Sequence, residues 1–424
     1  MCRAKFLLAA AIALILVPGC AVAGVSWFDR DTLQGVFNVG IAASDGISSW
    51  SAGGFGKSRF GRGLSGEGGL ELVWRPQITD DVSLVVDGIA QPRFGQAVDI
   101  AEAYALYKPV PASPLRFQAR AGMLYIPISL EHDSAAGEPW SVRDTITPSA
   151  INTWAGEELK ALGGEARVER AFEPVTVATT IGVFSRNDTS GTLLALRGWA
   201  FSDLVATAFA RVPLPRLSDY VSPSQATHTV PVDSVDGRLG VYSKLQVAHS
   251  RGSIDLTYYD NNAQLGAGHD GQWAWRTDFL EVGAAVPLGN GMMLTSQFID
   301  GRTRAQLGSP VGYRFDVRFR AAYLRLVKQV KSDTFTARAD VFSTLSPHPS
   351  AGELFYHPGV LDPDETYSEN GWSGLTAWKH DLSPGHSLIG ELLYIDWRRR
   401  YLSAFAELPH QASTTFQLVY RQAF

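Results

Sequence analysis

Hydrophobic and polar residues alternate along most of this chain of 424 residues. Near the start of the pattern, Leu33, Phe37, Val39 and Ile41 share one parity, and smaller or polar residues lie between them. A period of two residues is that of a β-strand with one apolar face. The pattern predicts 18 strands, with 16 as the alternative because 192–212 is ambiguous. The predicted strands cover residues 33–43, 70–75, 82–86, 98–108, 115–126, 162–172, 175–185, 192–200, 205–212, 237–249, 252–259, 272–286, 292–301, 313–330, 334–343, 371–382, 387–398 and 412–424.

The connections between these strands alternate between short turns and long loops. The long connections are 44–66, 127–161, 213–236, 260–271 and 344–370. Transmembrane β-barrels have this asymmetry, with tight turns on one side of the membrane and longer loops on the other. Beyond the N-terminal region, no stretch reaches the ~20 apolar residues of a membrane-spanning helix. The sequence therefore predicts an all-β fold: one transmembrane antiparallel β-barrel of 16–18 strands, with short periplasmic turns and long outer loops.

The last eleven residues form an alternating segment that ends on an aromatic residue. Phe416, Leu418, Tyr420 and Phe424 share one parity. A final strand in a closed barrel completes its hydrogen bonds on the first strand. An edge strand of a soluble sandwich is the alternative. The segment resembles the closing strand of Gram-negative outer-membrane proteins, although Gln422 replaces a usual hydrophobic residue. The resemblance implies that these four residues are the signal read by the barrel-assembly machinery.

The N-terminal region has the pattern of a secretory leader. Two basic residues precede the apolar run 6–17, and an A-x-A cleavage motif ends at Ala23. We therefore predict a signal peptide over 1–23 and an exported barrel domain over 24–424. A lipoprotein signal with Cys20 lipidated is the alternative. Both cysteines of the chain lie in this leader, so cleavage would leave no disulfide and no cysteine metal site.

Short motifs connect the barrel to a known family. The segments 120–122 (RAG), 127 (P), 130–131 (LE), 102–104 (EAY) and 338–342 (RADVF) resemble strand and loop-corner motifs of phosphate-selective porins of the O/P type and their uncharacterised relatives. The resemblance is diffuse and extends over most of the mature chain. It implies a barrel that is a homotrimer and passes small solutes. The family's lysine cluster is absent from this sequence, so phosphate selectivity is not implied.

Charged residues on one strand face indicate which face lines the lumen. In 313–330 the charged residues alternate with phenylalanine and valine, and charges facing lipid would cost roughly 2–4 kcal/mol for each Arg near the midplane. The charges are therefore predicted to face the lumen, where they bias ion passage or only neutralise one another across strands. The arginines at 398–400 are predicted to form a solvated rim. The predicted pore-lining residues are Arg116, Arg120, Arg167, Arg197, Lys244, Arg314, Asp316, Arg318, Arg320, Arg338 and Asp340.

The longest loop, 127–160, is the predicted constriction of the lumen. Loops of this length are often functional, and its acidic residues would face a basic wall. An outer loop that lies against a trimer neighbour is the alternative. The residues predicted to form the constriction are Trp140, Asp144, Trp154, Glu157 and Glu158.

Motifs for catalysis are weak in this sequence. Residues 266–271 match GxGxxG, but no helix follows them, and GxSxG and HExxH do not occur. The net charge of −5 argues against a nucleic-acid partner. The predicted function is an outer-membrane porin, not an enzyme, with no cofactor and no metal. Its predicted partners are outer-membrane lipid, the assembly machinery and small hydrophilic solutes or ions. The alternatives are a barrel hydrolase or lipid-modifying enzyme, or a soluble exported carbohydrate-binding protein.

Overall fold

The computed structural model describes most of the chain beyond the N-terminal region. The described residues are 27–28, 31–91, 94–132, 138–218, 221–307, 313–346 and 368–424. The predicted leader, 1–23, lies outside them. Within the described residues no helix is both long and apolar enough to cross a membrane.

Antiparallel strands of the described residues close into one barrel. The strands are β1 Leu33–Ser44, β2 Gly63–Trp74, β3 Val82–Ala90, β4 Val98–Tyr107, β5 Leu115–Tyr125, β6 Lys160–Phe172, β7 Val175–Ser185, β8 Val212–Pro213, β9 His228–Thr229, β10 Gly240–His249, β11 Gly252–Asp260, β12 Gly268–His269, β13 Gln272–Trp273, β14 Arg276–Gly289, β15 Met292–Leu307, β16 Tyr313–Val330, β17 Asp333–Leu345, β18 Glu369–Ser383, β19 His386–Arg399 and β20 His410–Ala423. All but the two-residue pairs β8–β9 and β12–β13 belong to the barrel, which therefore has 16 strands in the described chain.

The first and last strands close the barrel on each other. Their register runs from Val36 opposite Ala423 to Ser44 opposite Thr415. Short turns such as 290–291 and 331–332 lie at one end, here called the turn end. The long connections lie at the opposite end, called the loop end. The all-β barrel and its asymmetric connections are thus as predicted.

The favoured number of 18 strands is wrong, because two predicted strands lie inside the barrel. Residues 192–200 and 205–212 belong to the connection between β7 and β10. The helix Gly191–Leu196 covers part of the first segment, and the second ends at β8. Nearly all of these side chains are buried. A segment enclosed on every side has no polar face, so its hydrophobic run cannot be assigned to a strand by periodicity.

The loop-end half of the barrel interior is packed with aromatic side chains. Trp154 lies at the centre of this core, with ring centroids 5.3 Å from Phe319, 5.6 Å from Phe279 and 6.2 Å from Trp199. Trp154 lies on the π-helical turn Thr153–Glu158, which follows the short helix Ala150–Asn152. The lumen is therefore occupied by connecting segments as well as by strand side chains.

The predicted orientation of the charges on β16 is wrong. Phe315 and Phe319 point into the interior and are buried, whereas Asp316, Arg318 and Arg320 lie on the opposite, outward face. The interior is apolar at this level because the aromatic core fills it, so the phenylalanines have a better environment inside. The side chain of Arg314 lies outside the described part of the chain.

The outward charges are paired between neighbouring strands. Arg320 contacts Asp300 at 2.6 Å, and Arg304 contacts Asp278 at 2.7 Å. These charges lie towards the loop end, and the outward apolar residues of the same strands lie towards the turn end. β16 has 18 residues, more than the ~9–11 that span a bilayer. The charged half therefore extends beyond the apolar band and carries no cost of burial in lipid.

A labelling experiment distinguishes the two orientations of β16. In lipid nanodiscs, we expect the single cysteine of Arg320→Cys to react with a water-soluble maleimide, because that side chain points outward beyond the apolar band. Phe319→Cys should stay unlabelled, because residue 319 is enclosed in the barrel core. Phe335→Cys, outward but near the turn end, is a lipid-shielded control. Mass spectrometry measures the labelled fraction, and the opposite pattern for 319 and 320 would contradict the structure.

Candidate functional site: the occupied lumen

The connection between β5 and β6 runs through the barrel interior over its described residues, 126–132 and 138–159, which are here called the lumen loop. After β5 it crosses towards the opposite wall. There the Lys244 ammonium donates to the carbonyl of Pro127 at 2.8 Å, and the Gln297 amide donates to the carbonyl of Ile128 at 3.0 Å. Gln297 also accepts the backbone N–H of Leu130 at 3.2 Å. The loop thus enters the lumen along a path fixed by side chains of β10 and β15.

Arg338 of β17 is the main anchor of the lumen loop. Its guanidinium pairs with Asp340 of the same strand at 2.9 Å and with Glu131 of the loop at 3.1 Å. It also donates to the carbonyl oxygens of Thr147 at 2.9 Å and Pro148 at 3.0 Å. Guanidinium donors are arranged in a rigid fork, so one side chain can hold several acceptors. Arg338 therefore joins both halves of the loop to the barrel wall.

Glu131 is the acidic partner in this anchor. Its carboxylate also accepts the backbone N–H of Ser149 at 2.8 Å and the side-chain N–H of Asn152 at 2.7 Å. Burial acts to raise the pKa of Glu131, but the guanidinium groups of Arg338 and Arg325 outweigh it and lower the pKa to about 2. The carboxylate is therefore ionised at neutral pH and supports the loop as an anion.

Further strands hold the middle of the lumen loop. Glu391 of β19 accepts the N–H of Ile146 at 2.7 Å and of Thr147 at 3.1 Å. Asp144 forms an ion pair with Arg325 of β16. The loop is therefore held from several sides of the barrel, and ordered backbone lies across the lumen.

A second insertion, described over residues 186–218 and 221–238, packs against the lumen loop. We call it the lumen segment. Arg197, which follows its helix, forms a bidentate pair with Glu158 at 2.6 and 2.9 Å and lies 4.5 Å above the ring of Trp50. Burial raises the pKa of Glu158, with Arg197 acting in the opposite direction. The pair links the two insertions.

Arg399 and Lys57 fix the end of the helix in the lumen segment. Arg399 donates to the carbonyl oxygens of Ala195 at 3.2 Å and Leu196 at 3.1 Å. A cation at the last carbonyl groups of a helix is favoured by the helix dipole. Lys57 forms an ion pair with Glu369, and burial lowers the pKa of Lys57 to about 8 despite that carboxylate. The predicted solvated-rim role is therefore wrong for Arg399, which is 2% exposed.

A serine, a histidine and a glutamate form a hydrogen-bonded series inside the lumen loop. The Ser129 hydroxyl lies 2.7 Å from His132 Nδ1, and His132 Nε2 lies 2.6 Å from Glu157. The Ser129 hydroxyl also accepts the N–H groups of Glu131 and His132 at 3.1 and 3.2 Å, as a turn-forming serine does. Burial raises the pKa of Glu157, and His132 opposes this shift. The three residues are largely buried and connect the start of the loop to its helical end.

A cavity of about 190 Å³ remains between the lumen loop and the wall formed by β1, β2, β3 and β20. Arg59 is shared by two acidic neighbours, Glu67 and Asp203, with the second contact at 2.8 Å. Arg421 donates to Asn38 at 3.0 Å. The charged residues that line the cavity are Arg59, Glu67, Glu71, Glu157, Asp203 and Arg421. Four carboxylates and two guanidinium groups therefore surround this space.

The predicted pore-lining residues other than Arg314 fall into three groups in the structure. Those on the lumen face of barrel strands are Arg116, Arg120, Arg167, Lys244, Arg338 and Asp340. Arg197 lies inside the barrel, but on the lumen segment and not on a strand. Asp316, Arg318 and Arg320 face outward, so their predicted place in the lumen is wrong.

The predicted constriction residues lie inside the barrel, and the predicted assembly residues lie on and just after the closing strand. Trp140, Asp144, Trp154, Glu157 and Glu158 all lie inside the barrel. Among the contacts of the described residues, Asp144 is the only one of the three acidic residues that meets an arginine of a barrel strand. Glu158 pairs with the lumen segment, and Glu157 with His132. The aromatic and aliphatic residues on the outward face of the closing strand are Phe416, Leu418 and Tyr420, and Phe424 is exposed after it. Their roles in constriction and in assembly stay predictions.

Several residues that hold the lumen together were not predicted. Lys57, Glu391 and Arg399 belong to this group. The inward parity of Arg421 could be read from the sequence, because it shares a face with Thr415 and Val419. No local pattern identifies Lys57, whose partner Glu369 lies 312 residues away on β18, or His132, whose partner Glu157 lies 25 residues away in the same loop.

Solved structures of outer-membrane proteins share this barrel fold. The outer membrane channel DcaP of Acinetobacter baumannii has a TM-score of 0.52 at 9% identity, covering 95% of this chain and 100% of its own. An anion-selective porin from Comamonas acidovorans has a TM-score of 0.50 at 11% identity, covering 93% of this chain and 99% of its own. A loop-deletion mutant of OmpT, an outer membrane protein of Vibrio cholerae, has a TM-score of 0.50 at 6% identity, covering 92% of this chain and 98% of its own.

These likenesses show a porin-type barrel fold and nothing finer. No protein-family model matches the chain, and no curated protein matches it by sequence. The predicted barrel is therefore confirmed at the level of fold. The resemblance to phosphate-selective porins in particular stays a prediction.

The anchor on Glu131 gives a prediction with a defined dependence on pH. A carboxylate whose pKa falls from 4.5 to about 2 on folding contributes about 3 kcal/mol to the free energy of unfolding above pH 4.5. This contribution is lost as the pH falls from about 4.5 to about 2. Glu131→Gln should therefore lower the free energy of unfolding at pH 7, and the difference from wild type should shrink at pH 3. Guanidinium unfolding in detergent, followed by tryptophan fluorescence, measures both values.

A matched control for this variant is Glu169→Gln. Glu169 lies on the lumen face near the turn end and pairs with two partly exposed arginines, so its loss should cost less than about 1 kcal/mol. A difference for Glu131→Gln that stays constant between pH 7 and pH 3 would contradict the assignment of an ionised anchor.

Proposed function

We propose that the protein is an outer-membrane channel that passes small hydrophilic solutes or ions by diffusion. The observation that carries this proposal is the charge-lined cavity between the barrel wall and a loop anchored by Arg338. A closed barrel leaves every backbone group of its strands paired, which permits a place in a bilayer. The porin-type fold supports the same function. The proposal includes export by the signal peptide 1–23, assembly through the closing strand and a homotrimeric state.

The size of the cavity limits the solutes that the proposed channel would pass. The cavity of about 190 Å³ compares with about 30 Å³ for one water molecule in the liquid. The lumen loop and the lumen segment fill much of the remaining interior at the loop end. We infer that the channel selects by size at the lumen loop and by charge in the cavity, with no covalent step.

Conductance across a planar bilayer tests this function directly. Purified, heat-modifiable protein should give discrete current steps in potassium chloride. We expect Arg338→Ala to give larger steps than wild type, because it leaves Glu131 and Asp340 buried without their counter-charge. Loss of one partner from a buried ion pair costs about 3–5 kcal/mol, enough to detach the loop from the wall.

The control for this comparison is Arg116→Ala. Arg116 lies on the lumen face near the turn end and is mostly exposed, so its removal leaves the lumen loop in place. Its current steps should stay close to those of wild type. Absence of steps from folded wild-type protein would refute the channel function. Equal steps for wild type and Arg338→Ala would refute the role of the loop as the constriction.

A hydrolase on the same barrel is the second candidate function, favoured by the series from Ser129 to Glu157. A serine hydroxyl bonded to a histidine that is oriented by a carboxylate is the arrangement of a nucleophile and its base. Ester hydrolysis that disappears in Ser129→Ala while conductance persists would support this candidate. The turn contacts of the Ser129 hydroxyl favour a structural role instead.

A further inference from the structure

Carboxyl groups outnumber cations on one side of the lumen, next to the cavity. Glu71 of β2, Asp87 of β3 and Glu102 of β4 point inward from three successive strands, and Glu157 approaches them from the lumen loop. We call these four residues the acidic wall. Asp87 and Glu102 are direct cross-strand partners. Like charges in such positions repel unless a positive group or a proton lies between them.

Asp87 has no donor for its two carboxylate oxygens in the described part of the chain, and it is 1% exposed. The carboxyl of Glu71 is within hydrogen-bonding reach of Asp87. Glu71 already accepts the backbone N–H of Trp140. Two neighbouring carboxyl groups have no hydrogen to share when both are ionised, so this pair needs either a proton or a cation.

Two further polar atoms at the same place lack a partner. One oxygen of Glu157 and the hydroxyl of Tyr125 are buried and form no hydrogen bond within the described residues. The Tyr125 hydroxyl is within electrostatic reach of all four members of the acidic wall. A phenol oxygen and a carboxylate oxygen are both suitable neighbours for a positive group. The unpartnered atoms therefore converge from a strand end and from the lumen loop.

The protein supplies fewer cations than carboxyl groups near this wall. Lys160 is within electrostatic reach of all four carboxyl groups, and the arginines nearby have further acidic partners. The Lys160 ammonium donates to the carbonyl of Ala101 at 2.5 Å and lies 3.5 Å above the ring of Tyr125. Arg59 is shared by Glu67 and Asp203, and Arg120 contacts Glu165 at 2.5 Å but Glu102 only at 3.8 Å. The acidic wall therefore keeps an excess of negative charge beside the cavity.

We propose that the acidic wall binds the positive group of a passing solute, so that the channel prefers cations to anions. This inference rests on the proposed channel function and names its substrate class. No set of three or more His, Cys, Asp or Glu side chains in the described part of the chain is arranged to hold a metal ion. The expected occupant is a monovalent ion or a protonated amine, and its place is beside Glu71, where the wall borders the cavity.

The reversal potential in a gradient of potassium chloride measures this preference. Wild-type channels should favour potassium over chloride. Glu71→Gln and Asp87→Asn should each lower the permeability ratio by about fivefold or more, because loss of one charge at contact distance has about a fivefold effect even in bulk water. Asp87→Asn should disturb the fold less than Glu71→Gln, because the carboxylate oxygens of Asp87 accept no hydrogen bond within the described residues. The matched control is Glu173→Gln in the exposed turn between β6 and β7, which should keep the wild-type ratio.

A binding measurement tests the site without relying on conductance. Isothermal titration calorimetry of the detergent-solubilised protein with 1,4-diaminobutane should show binding to wild type that weakens in both variants. The same titration is carried out in potassium chloride and, at equal ionic strength, in tetramethylammonium chloride. Weaker diamine binding in potassium chloride indicates that the site also holds an inorganic cation, and equal binding indicates a site for amines.

Each outcome has a defined meaning. Current steps that prefer chloride or show no preference would overturn the cation site and leave the channel function standing. An unchanged ratio in both variants would do the same. Folded protein without current steps would refute the channel. In that case, binding of the diamine that depends on Glu71 and Asp87 would still support the site, and its absence would overturn it.

Discussion

The structure depends on matching every charge that the barrel turns inward. A lumen filled by protein provides little water to solvate a guanidinium or a carboxylate, so each one requires a partner of opposite charge or a backbone group. Arg338 meets this requirement with Glu131 and Asp340, and Arg197 meets it with Glu158. In both cases one partner comes from a connection that crosses the lumen. The connections are therefore part of the core of this protein, and the acidic wall is a place where the matching is incomplete.

The fold was predictable from sequence wherever one side of the chain meets lipid. Alternation identified most barrel strands, and the closing strand was identified through its aromatic end. The prediction was wrong at 192–212, where both sides of the chain are enclosed and alternation disappears. It was also wrong for Asp316 and Arg320, since the argument assumed lipid outside and water inside along the whole strand. β16 is longer than the apolar band, and its interior is aromatic at that level, so both assumptions fail there.

The candidate site was predictable only in part, because most of its contacts join residues that are far apart in the sequence. The length and acidic residues of the lumen loop marked it as a constriction, and Arg338 and Asp340 were assigned to the lumen face by parity. Their pairing with residues 190 to 207 positions away depends on the register and curvature of the barrel. Lys57 and Glu369 are separated further still, and neither shows a local signal. The parity of a charged residue in an alternating strand thus predicts which face of the barrel wall it lies on, but not which residue it pairs with.

The last strand makes direct contact with the lumen loop. Gln417 donates to the Thr147 hydroxyl at 2.9 Å, and Arg421 donates to the carbonyl of Val142 at 2.8 Å. Both residues belong to β20, the strand that forms the seam with β1. Sealing of the seam and filling of the lumen are therefore energetically coupled. A barrel whose lumen loop has not yet entered the interior lacks these two hydrogen bonds. Insertion of the loop therefore favours pairing of β20 with β1, and a barrel with an empty lumen is the less stable product of assembly.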